Sequence, residues 1–567
     1  MLGRDGSSAI VFNGEIYNYI ELRDELAKLG HTFATGTDTE VLLRMYEEFG
    51  DASLARLNGI FAFAIWDAKR QRLFCARDPL GIKPFYYHFS QDRLIFASEV
   101  KALLVTPWLE PAVDTLGLMD VLFSGAPQAG KTMFKGVQEL PPGCSLVANG
   151  SGVKVQEYWD LEYRYDHGRS YEATAAEFQS LLQSAVGLQC RSDAPLGCHL
   201  SSGTDSTLIS ALASQHRPGL PTFTVRYGDG DKWDESELAL VAAHAMGAEP
   251  FVQTPVHGDF IKNFVAAVWH MDAPLPNAGA LSYRSVSELA SATVKVTLTG
   301  HGGDEVCAGY PAQFQTAYGH TRPFADTGRP SRHTPALERL LHVVRRQGLS
   351  GLVRRVQNRV SARDPHEALW LSLHTSGSPR LANSLSPELL RRAGDYDPAE
   401  DYLLNFRQAP TDVLLDRCLY HDLRTYLPGL LMMEDRASMA FGVESRVPML
   451  DVRIVEFLAT VPPAQKTAEG TLSKRLLRDA ARDLLPPSIV DRRVKAPFPA
   501  PFSEWLEGPL RDWAWNVLTD PRTLDRGVFH PDGLRERSLT AKEQWRALSV
   551  ETWFRAFIDG DTDWMPA

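Results

Sequence analysis

The chain has 567 residues, 44% hydrophobic and 23% charged, with a formal net charge of −11. That length supports two or more domains with sizeable cores, and the composition is globular. The acidic balance argues against nucleic acid as the main partner, and no apolar run approaches the roughly 18–20 residues that span a membrane. Met1 is followed by Leu-Gly-Arg-Asp-Gly, so no signal peptide is expected. The six cysteines are scattered without a CxxC pair, which excludes a zinc or disulfide framework and predicts a reducing, cytoplasmic setting.

Short apolar or aromatic runs at 9–12, 60–66, 72–76, 84–87 and 94–97 predict strands, and 19–29 and 40–48 predict amphipathic helices. Residues 1–160 therefore read as α+β, with helices packed on antiparallel sheets. Gly125 to Thr132 matches the pattern GxxxxGK[ST]. Gly136 and the Pro141-Pro142 pair forbid the long helix that a phosphate-binding loop must open, so this segment reads as a surface loop. Asn149-Gly-Ser151 matches a glycosylation sequon that a cytoplasmic chain would not present to that machinery.

The polar, aperiodic stretch Glu162–Arg169 is a candidate linker. Beyond it the elements alternate: helix 171–189, strand 196–200, helix 206–214, strand 222–227, helix 236–246, helix 281–290 and strand 294–299. That order implies βαβ units and a parallel sheet. Residues 311–420 read as helical, with a mobile Pro/Gly/Ser/Thr stretch over Arg322–Thr334, and helices dominate from Asp422 to the end.

His199-Leu-Ser-Ser-Gly-Thr-Asp-Ser-Thr207 follows an apolar strand and opens a helix. Small residues let backbone N–H groups approach an anion, and the helix N-terminus adds positive potential. Asp205 makes sense there if it holds magnesium; the alternative is a helix start whose Ser, Thr and Asp serve only as caps. Val294-Lys-Val-Thr-Leu-Thr-Gly-His-Gly-Gly-Asp-Glu305 is a second strand entering a Gly-rich turn with acids. Ligands of open α/β sheets sit at the carboxyl ends of strands, so Asp205 and Asp304 could share one Mg²⁺. Lys474 and Arg478 are read as one face of a helix, with Asp491-Arg-Arg-Val-Lys495 after them; a solvated basic face is the alternative. Cys198 reads as a core thiol, His199 as structural, and Glu444 with Arg446 as a buried ion pair.

Ser201-Ser-Gly-Thr-Asp-Ser206 resembles the SGGxDS loop of PP-loop ATP pyrophosphatases. Asn13-Gly-Glu-Ile-Tyr-Asn18, Asp38-Thr-Glu40, Leu57–Phe63, Ala76–Pro84 and Ala97-Ser-Glu99 resemble the class II glutamine amidotransferase domain fused to asparagine synthetase. Leu430–Met439 and Val443–Asp451 resemble the synthetase domain's helical core. The resemblance implies an α+β, Ntn-like glutaminase-type antiparallel sandwich over 1–165. It implies an α/β parallel-sheet PP-loop ATPase domain with a helical C-terminal region over 166–567.

The family's chemistry, carried over, makes Leu200, Ser201, Ser202, Gly203, Asp205, Ser206, Val225, Thr299 and Gly300 the ATP site, with Leu200, Val225 and Gly300 at the adenosine. Asp205 and Asp304 would hold Mg²⁺, Lys474 would neutralise the pyrophosphate leaving group, and His301 would stand beside the reacting acyl group. Asn13 and Gly14 match the oxyanion-hole pair, and Glu15 and Asp38 the glutamine-binding carboxylates.

Three departures stand out. No cysteine precedes Cys75, whereas the family's nucleophile is an N-terminal cysteine; the expectation is that roughly 60 upstream residues are absent. Ser202 replaces a loop glycine, and ATP binding is expected to survive it. His301 replaces an acidic residue and is either catalytic or pocket-shaping, and Asp272-Ala-Pro274 replaces Asp-Glu-Pro. The leading expectation is an asparagine synthetase using ATP, aspartate and glutamine, or free ammonia for this chain alone. The alternatives are a ligase for another carboxylate in a natural-product pathway, and a non-catalytic paralogue. Small molecules are the expected partners, without nucleic acid or membrane, and a homodimer is left open.

Overall fold

The computed structural model describes residues 1–227, 234, 236–324, 362–375, 381, 384–493, 501–535 and 539–561. The stretch read as mobile lies outside the described residues from 325 onward, as does Lys495. No described helix is long and apolar enough to cross a membrane.

The first half is built on two antiparallel sheets. Strands β1 (Ser8–Ile16), β2 (Gly59–Asp67), β3 (Arg72–Arg77), β7 (Cys144–Asn149) and β8 (Gly152–Glu157) lie in the order β1-β2-β3-β7-β8. Strands β4 (Tyr86–Ser90), β5 (Arg93–Ala97) and β6 (Gln138–Glu139) form the second sheet, in the order β5-β4-β6. Alternation along β2 sets the layers. Phe61, Phe63 and Ile65 pack under helices Tyr19–Lys28 and Asp38–Phe49, through Leu22, Leu26, Leu42 and Tyr46. The small Ala62 and Ala64 point the other way and admit Phe85, just before β4, and Tyr87 of the second sheet.

The predicted strand at 84–87 starts two residues later, because Pro84 cannot donate to a ladder. The hairpin of β7 and β8 and the helix Thr115–Ser124 were not predicted; β8 is mostly exposed and lacks a clean apolar alternation. The GxxxxGKT segment begins where that helix ends, at left-handed Gly125 (φ 107°). Its Lys131 Nζ pairs with Asp401 at 2.6 Å and Asp120 at 3.1 Å, so the segment is a tied loop rather than a phosphate cradle. Asn149 and Ser151 form the turn from β7 into β8.

The second half carries a five-stranded sheet ordered β11-β10-β9-β12-β13. Its strands are β9 (Leu196–His199), β10 (Pro221–Val225), β11 (Glu249–Gln253), β12 (Val296–Leu298) and β13 (Glu444–Arg446), and every pair is parallel. Leu196, Cys198, Val296 and Leu298 share a core with helices Tyr171–Gln189 and Thr204–His216. Phe223 packs against Val286 and Ala290 of helix Gly279–Ser291 on the opposite face. The chain runs from β9 out to β11 on one side and returns to β12 on the other. The strand order therefore reverses between β9 and β12, and a crevice opens at their carboxyl ends.

The two halves are joined by helix Leu427–Met439, on which three consecutive buried charges point apart, about 100° per residue. Glu434 turns to His199 (3.1 Å), Asp435 to Lys83 (2.7 Å), and Arg436 to Glu99 (3.3 Å). Lys83 belongs to the first half and is only 1% exposed. Arg446 meets Glu15 at 3.1 Å, and the Asn58 amide donates to Asp451 at 3.1 Å. Glu162–Arg169 is a packed strap rather than a loose tether, since the Tyr165 hydroxyl donates to Asp416 at 2.8 Å. Removing one member of a buried ion pair strands its partner's charge. Asp435→Ala is expected to lower the calorimetric melting temperature by several degrees, and the paired Lys83→Met/Asp435→Leu variant to recover part of that loss.

Candidate active site

A cavity of about 570 Å³ opens at the crevice between β9 and β12. Leu200, Ser201, Ser202, Gly203, Asp205, Ser206, Val225, Thr299, Gly300, His301, Asp304 and Lys474 all line it. The structure thus brings together every ATP-, metal- and acyl-site residue expected from the sequence.

The loop after β9 is wound by its own hydroxyls. Ser201 Oγ lies 2.8 Å from Ser206 Oγ, the Ser201 N–H donates to Ser206 Oγ at 3.1 Å, and the Gly203 N–H donates to Ser201 Oγ at 3.1 Å. Helix Thr204–His216 then starts on Gly203 with no side-chain cap, so its N-terminal N–H groups and dipole face the crevice. Ser202 is buried and accepts from Arg492. Two glycines admit this approach: a Cβ on Gly300 would lie 2.4 Å from Ser206 N, and one on Gly303 2.6 Å from Asp205 Oδ2.

Lys474 stands between the two acids. Its Nζ lies 2.5 Å from Asp205 Oδ2 and 2.7 Å from Asp304 Oδ1. Burial opposes the ammonium charge, but Asp205 and then Asp304 outweigh it and hold the lysine above its usual range. Lys474 is not on a helix face with Arg478, as the sequence suggested. It is the left-handed residue (φ 53°, ψ 41°) that precedes helix Arg475–Ala481, and this turn aims its side chain across the crevice. Arg478 also lines the cavity, but its guanidinium donates to the carbonyls of Ser473, Val490 and Arg492.

His301 sits at the turn after β12. Its Nε2 lies 2.9 Å from the Tyr283 hydroxyl, and its Nδ1 lies 3.1 Å from Thr299 Oγ1 and 4.0 Å from Glu434 Oε2. His199 Nδ1 is 3.1 Å from Glu434 Oε1, which also accepts from Ser445 Oγ at 3.0 Å. Tyr283, His199, Glu434 and Arg492 were not singled out as site residues. Arg492 lies in the basic run and His199 at the head of the loop segment, both noted from the sequence; Tyr283 and Glu434 give no local signal. Asp272 and Ala273 line a different cavity, of about 180 Å³, where Asp272 accepts from the Val100 N–H at 2.7 Å. Asp272 and Ala273 therefore belong to the contact between the halves and do not line the crevice between β9 and β12. Cys198 is fully buried and its thiol is pushed up to about 12, in keeping with a core role.

Asn13, Gly14, Glu15 and Asp38 lie elsewhere, around β1. Asn13 Nδ2 donates to Ser98 Oγ at 3.2 Å, and Asp38 accepts from the Ile16 N–H at 3.0 Å. Gly14 (φ 142°) presses on β2, where a Cβ would sit 2.0 Å from Ile60 O. Burial pushes Glu15 up to about 7 and raises Asp38, although Arg446 counters the shift at Glu15. Glu15 thus carries a partner from β13 that its motif does not announce. The cysteines of this half, Cys75 and Cys144, are buried with raised thiols, and neither has the character of a nucleophile.

The loop and the acid–lysine cluster thus lie at the switch point of a parallel sheet that follows a two-sheet antiparallel unit. Residues 177–555 match the Asparagine synthase family model, and residues 1–159 match the Glutamine amidotransferase domain model. The chain belongs to the asparagine synthase family. It is 31% identical over 520 residues to asparagine synthetase [glutamine-hydrolyzing] 1 of Bacillus subtilis (strain 168), covering 91% of this chain and 79% of that one. Asparagine synthetase [glutamine-hydrolyzing] 3 of the same organism is 30% identical over 586 positions, covering 97% and 88%. Amidase chyE of Penicillium rubens is 29% identical over 575 positions, covering 94% and 83%.

A Cβ on Gly309 would lie 1.9 Å from Asp304 Oδ1 and 2.3 Å from Lys474 Cε. Gly309→Ala is expected to lower the calorimetric melting temperature of the chain by several degrees, because the buried acid–lysine cluster must shift to admit the methyl group. Gly258→Ala, where a Cβ meets nothing within 4 Å, is expected to leave the melting temperature unchanged.

Proposed function

We propose that the chain is an asparagine synthetase, forming the amide of aspartate through an acyl-adenylate with release of AMP and pyrophosphate. Residues 1–165 serve as the glutamine amidotransferase-type unit and residues 166–567 as the ATP pyrophosphatase unit, with ammonia as the nitrogen that reaches the acyl group. The observation that carries this reading is Lys474 held between Asp205 and Asp304 at the mouth of the Ser201–Ser206 loop.

The donor set fits magnesium. Asp205 Oδ1 is buried and has no hydrogen-bond partner among the described residues, and both acids offer hard oxygens. Two carboxylates suit an ion that completes its shell with phosphate oxygens and water. Asp205 and Asp304 would hold it, and when bound it would supply neutralisation of the triphosphate's charge.

The N–H groups of the loop and of helix Thr204–His216 bind phosphate oxygens, assisted by the Ser201 and Ser206 hydroxyls. A carboxylate is a poor electrophile, so the acceptor oxygen first attacks the α-phosphorus and pyrophosphate leaves. Lys474 meets the charge that develops on that leaving group. Ammonia then attacks the acyl carbon, the bond to the phosphate oxygen breaks, and His301 takes the proton that the nitrogen sheds.

A second reading, an amide-forming ligase for another carboxylate, is favoured by His301 and its histidine–carboxylate surroundings in the crevice, and by the relative named an amidase. Pyrophosphate release with aspartate and ammonium supports the first reading; release only with a different carboxylate supports the second. Asp205→Ala is expected to reduce ATP-dependent pyrophosphate release at least a hundredfold, roughly the scale for losing a charge-stabilising group, and persistent release would remove the site assignment. His301→Ala is expected to slow amide formation more than adenylation; equal losses would leave it a role in pocket shape only.

A further inference from the structure

Glu434 is unusual for a residue in the interior of a helix that packs between two domains. It is 1% exposed, and its Oε1 is satisfied by His199 and Ser445. Its Oε2 has no hydrogen-bond partner among the described residues, and neither does Nε2 of the buried His199. A buried carboxylate with one oxygen unmet costs free energy unless a positive charge comes close to it. The group that faces Oε2 is His301, whose Nδ1 stands 4.0 Å away, too far for a hydrogen bond but close enough for a strong Coulomb interaction away from water.

We infer that Glu434 is a positioning residue for His301, and that with His199 it forms a buried histidine–carboxylate relay beneath the crevice. This rests on the reading of His301 as the proton acceptor. In the amide-forming step the nitrogen–carbon bond forms, the acyl–phosphate bond breaks, and AMP departs with that electron pair. The surplus proton goes to His301 Nε2, where the Tyr283 hydroxyl stands 2.9 Å away. The resulting imidazolium then faces Glu434 through Nδ1, and the fixed carboxylate balances the new charge without solvent rearrangement. His199 holds Glu434 on its far side, so the carboxylate cannot swing away.

The titratable groups around His301 and the Tyr283 hydroxyl that meets it come from several elements, those acting on Tyr283 being Glu434, Tyr426, Glu305 and Asp304. Glu434 lies on helix Leu427–Met439 and His199 on β9, Tyr426 immediately precedes that helix, and Asp304 and Glu305 lie on the turn after β12. Of these, Glu434 is the carboxylate facing Nδ1. Burial works against its charge, but His199, then His301 and Ser445, outweigh it and hold Glu434 below the usual carboxylate range.

The test is a titration of His301 in the full chain labelled with ¹³C-histidine, its resonance assigned by loss in His301→Ala. An opposite charge at this range raises a histidine by about one unit or more, so Glu434→Gln should lower the His301 midpoint by that amount. Unchanged signals of His31 and His88 would report an intact fold. Should Glu434→Gln not fold, Glu434→Asp, which withdraws the carboxylate by one methylene, should lower the midpoint by a smaller amount. The acidic limb of the pH–rate profile for amide formation should move down by the same interval in Glu434→Gln, with no further effect when His301 is already Ala. A midpoint that does not move in either variant overturns the relay, whatever the activity. Absence of pyrophosphate release in the unaltered chain would instead overturn the functional reading and leave the titration result standing.

Discussion

Lys474 holds two carboxylates together that would otherwise repel one another in a crevice sheltered from water. The three side chains come from the loop after β9, the turn after β12 and a turn some 170 residues further along the chain. Nothing local brings them together. What does so is the reversal of strand order between β9 and β12, which puts two strand ends side by side, and the left-handed turn at Lys474, which sends its side chain across them. Gly300, Gly303 and Gly309 are the complement of that arrangement, since a methyl group at any of them would collide with the loop, with an acid or with the lysine itself. Catalysis by positioning and charge compensation requires this kind of fixed framework.

Helix Leu427–Met439 relates the crevice to the rest of the molecule. Its successive Glu434, Asp435 and Arg436 face the crevice between β9 and β12, the first half of the chain and the contact zone between them. A shift of this helix would therefore disturb both halves at once. Glu15, expected at a glutamine site, meets Arg446, whose chain neighbour Ser445 donates to Glu434. Packed polar contacts thus run from β1 through β13 to the residues around His301.

The parts of this architecture that show in the sequence are those governed by local chemistry. An apolar strand entering Ser201–Ser206, a second entering Gly300–Asp304, and alternation of strand and helix suffice to place both turns at the ends of neighbouring parallel strands. The motifs of the first half likewise show in residues close together, such as Asn13 to Asn18. What does not show depends on distant partners. Strand β13 is three residues long, too short for any period to register. Glu434 looks like one acid in a mixed helix until His199, far earlier in the chain, is found against it. Lys474 and Arg478 have helical spacing, yet the first lies in the turn before the helix and the second spends its donors on backbone carbonyls. Ala273, one of the departures from the family pattern, lines the cavity between the halves.

The central claim is that one ionic cluster, Asp205–Lys474–Asp304, receives the triphosphate. A crystal structure of the chain with a non-hydrolysable ATP analogue and magnesium tests it most directly. The account predicts phosphate oxygens against the N–H groups of Ser201–Ser206, with Asp205, Asp304 and Lys474 all directed at the phosphates or the ion. A nucleotide bound elsewhere, or one whose phosphates touch none of those three side chains, would contradict it.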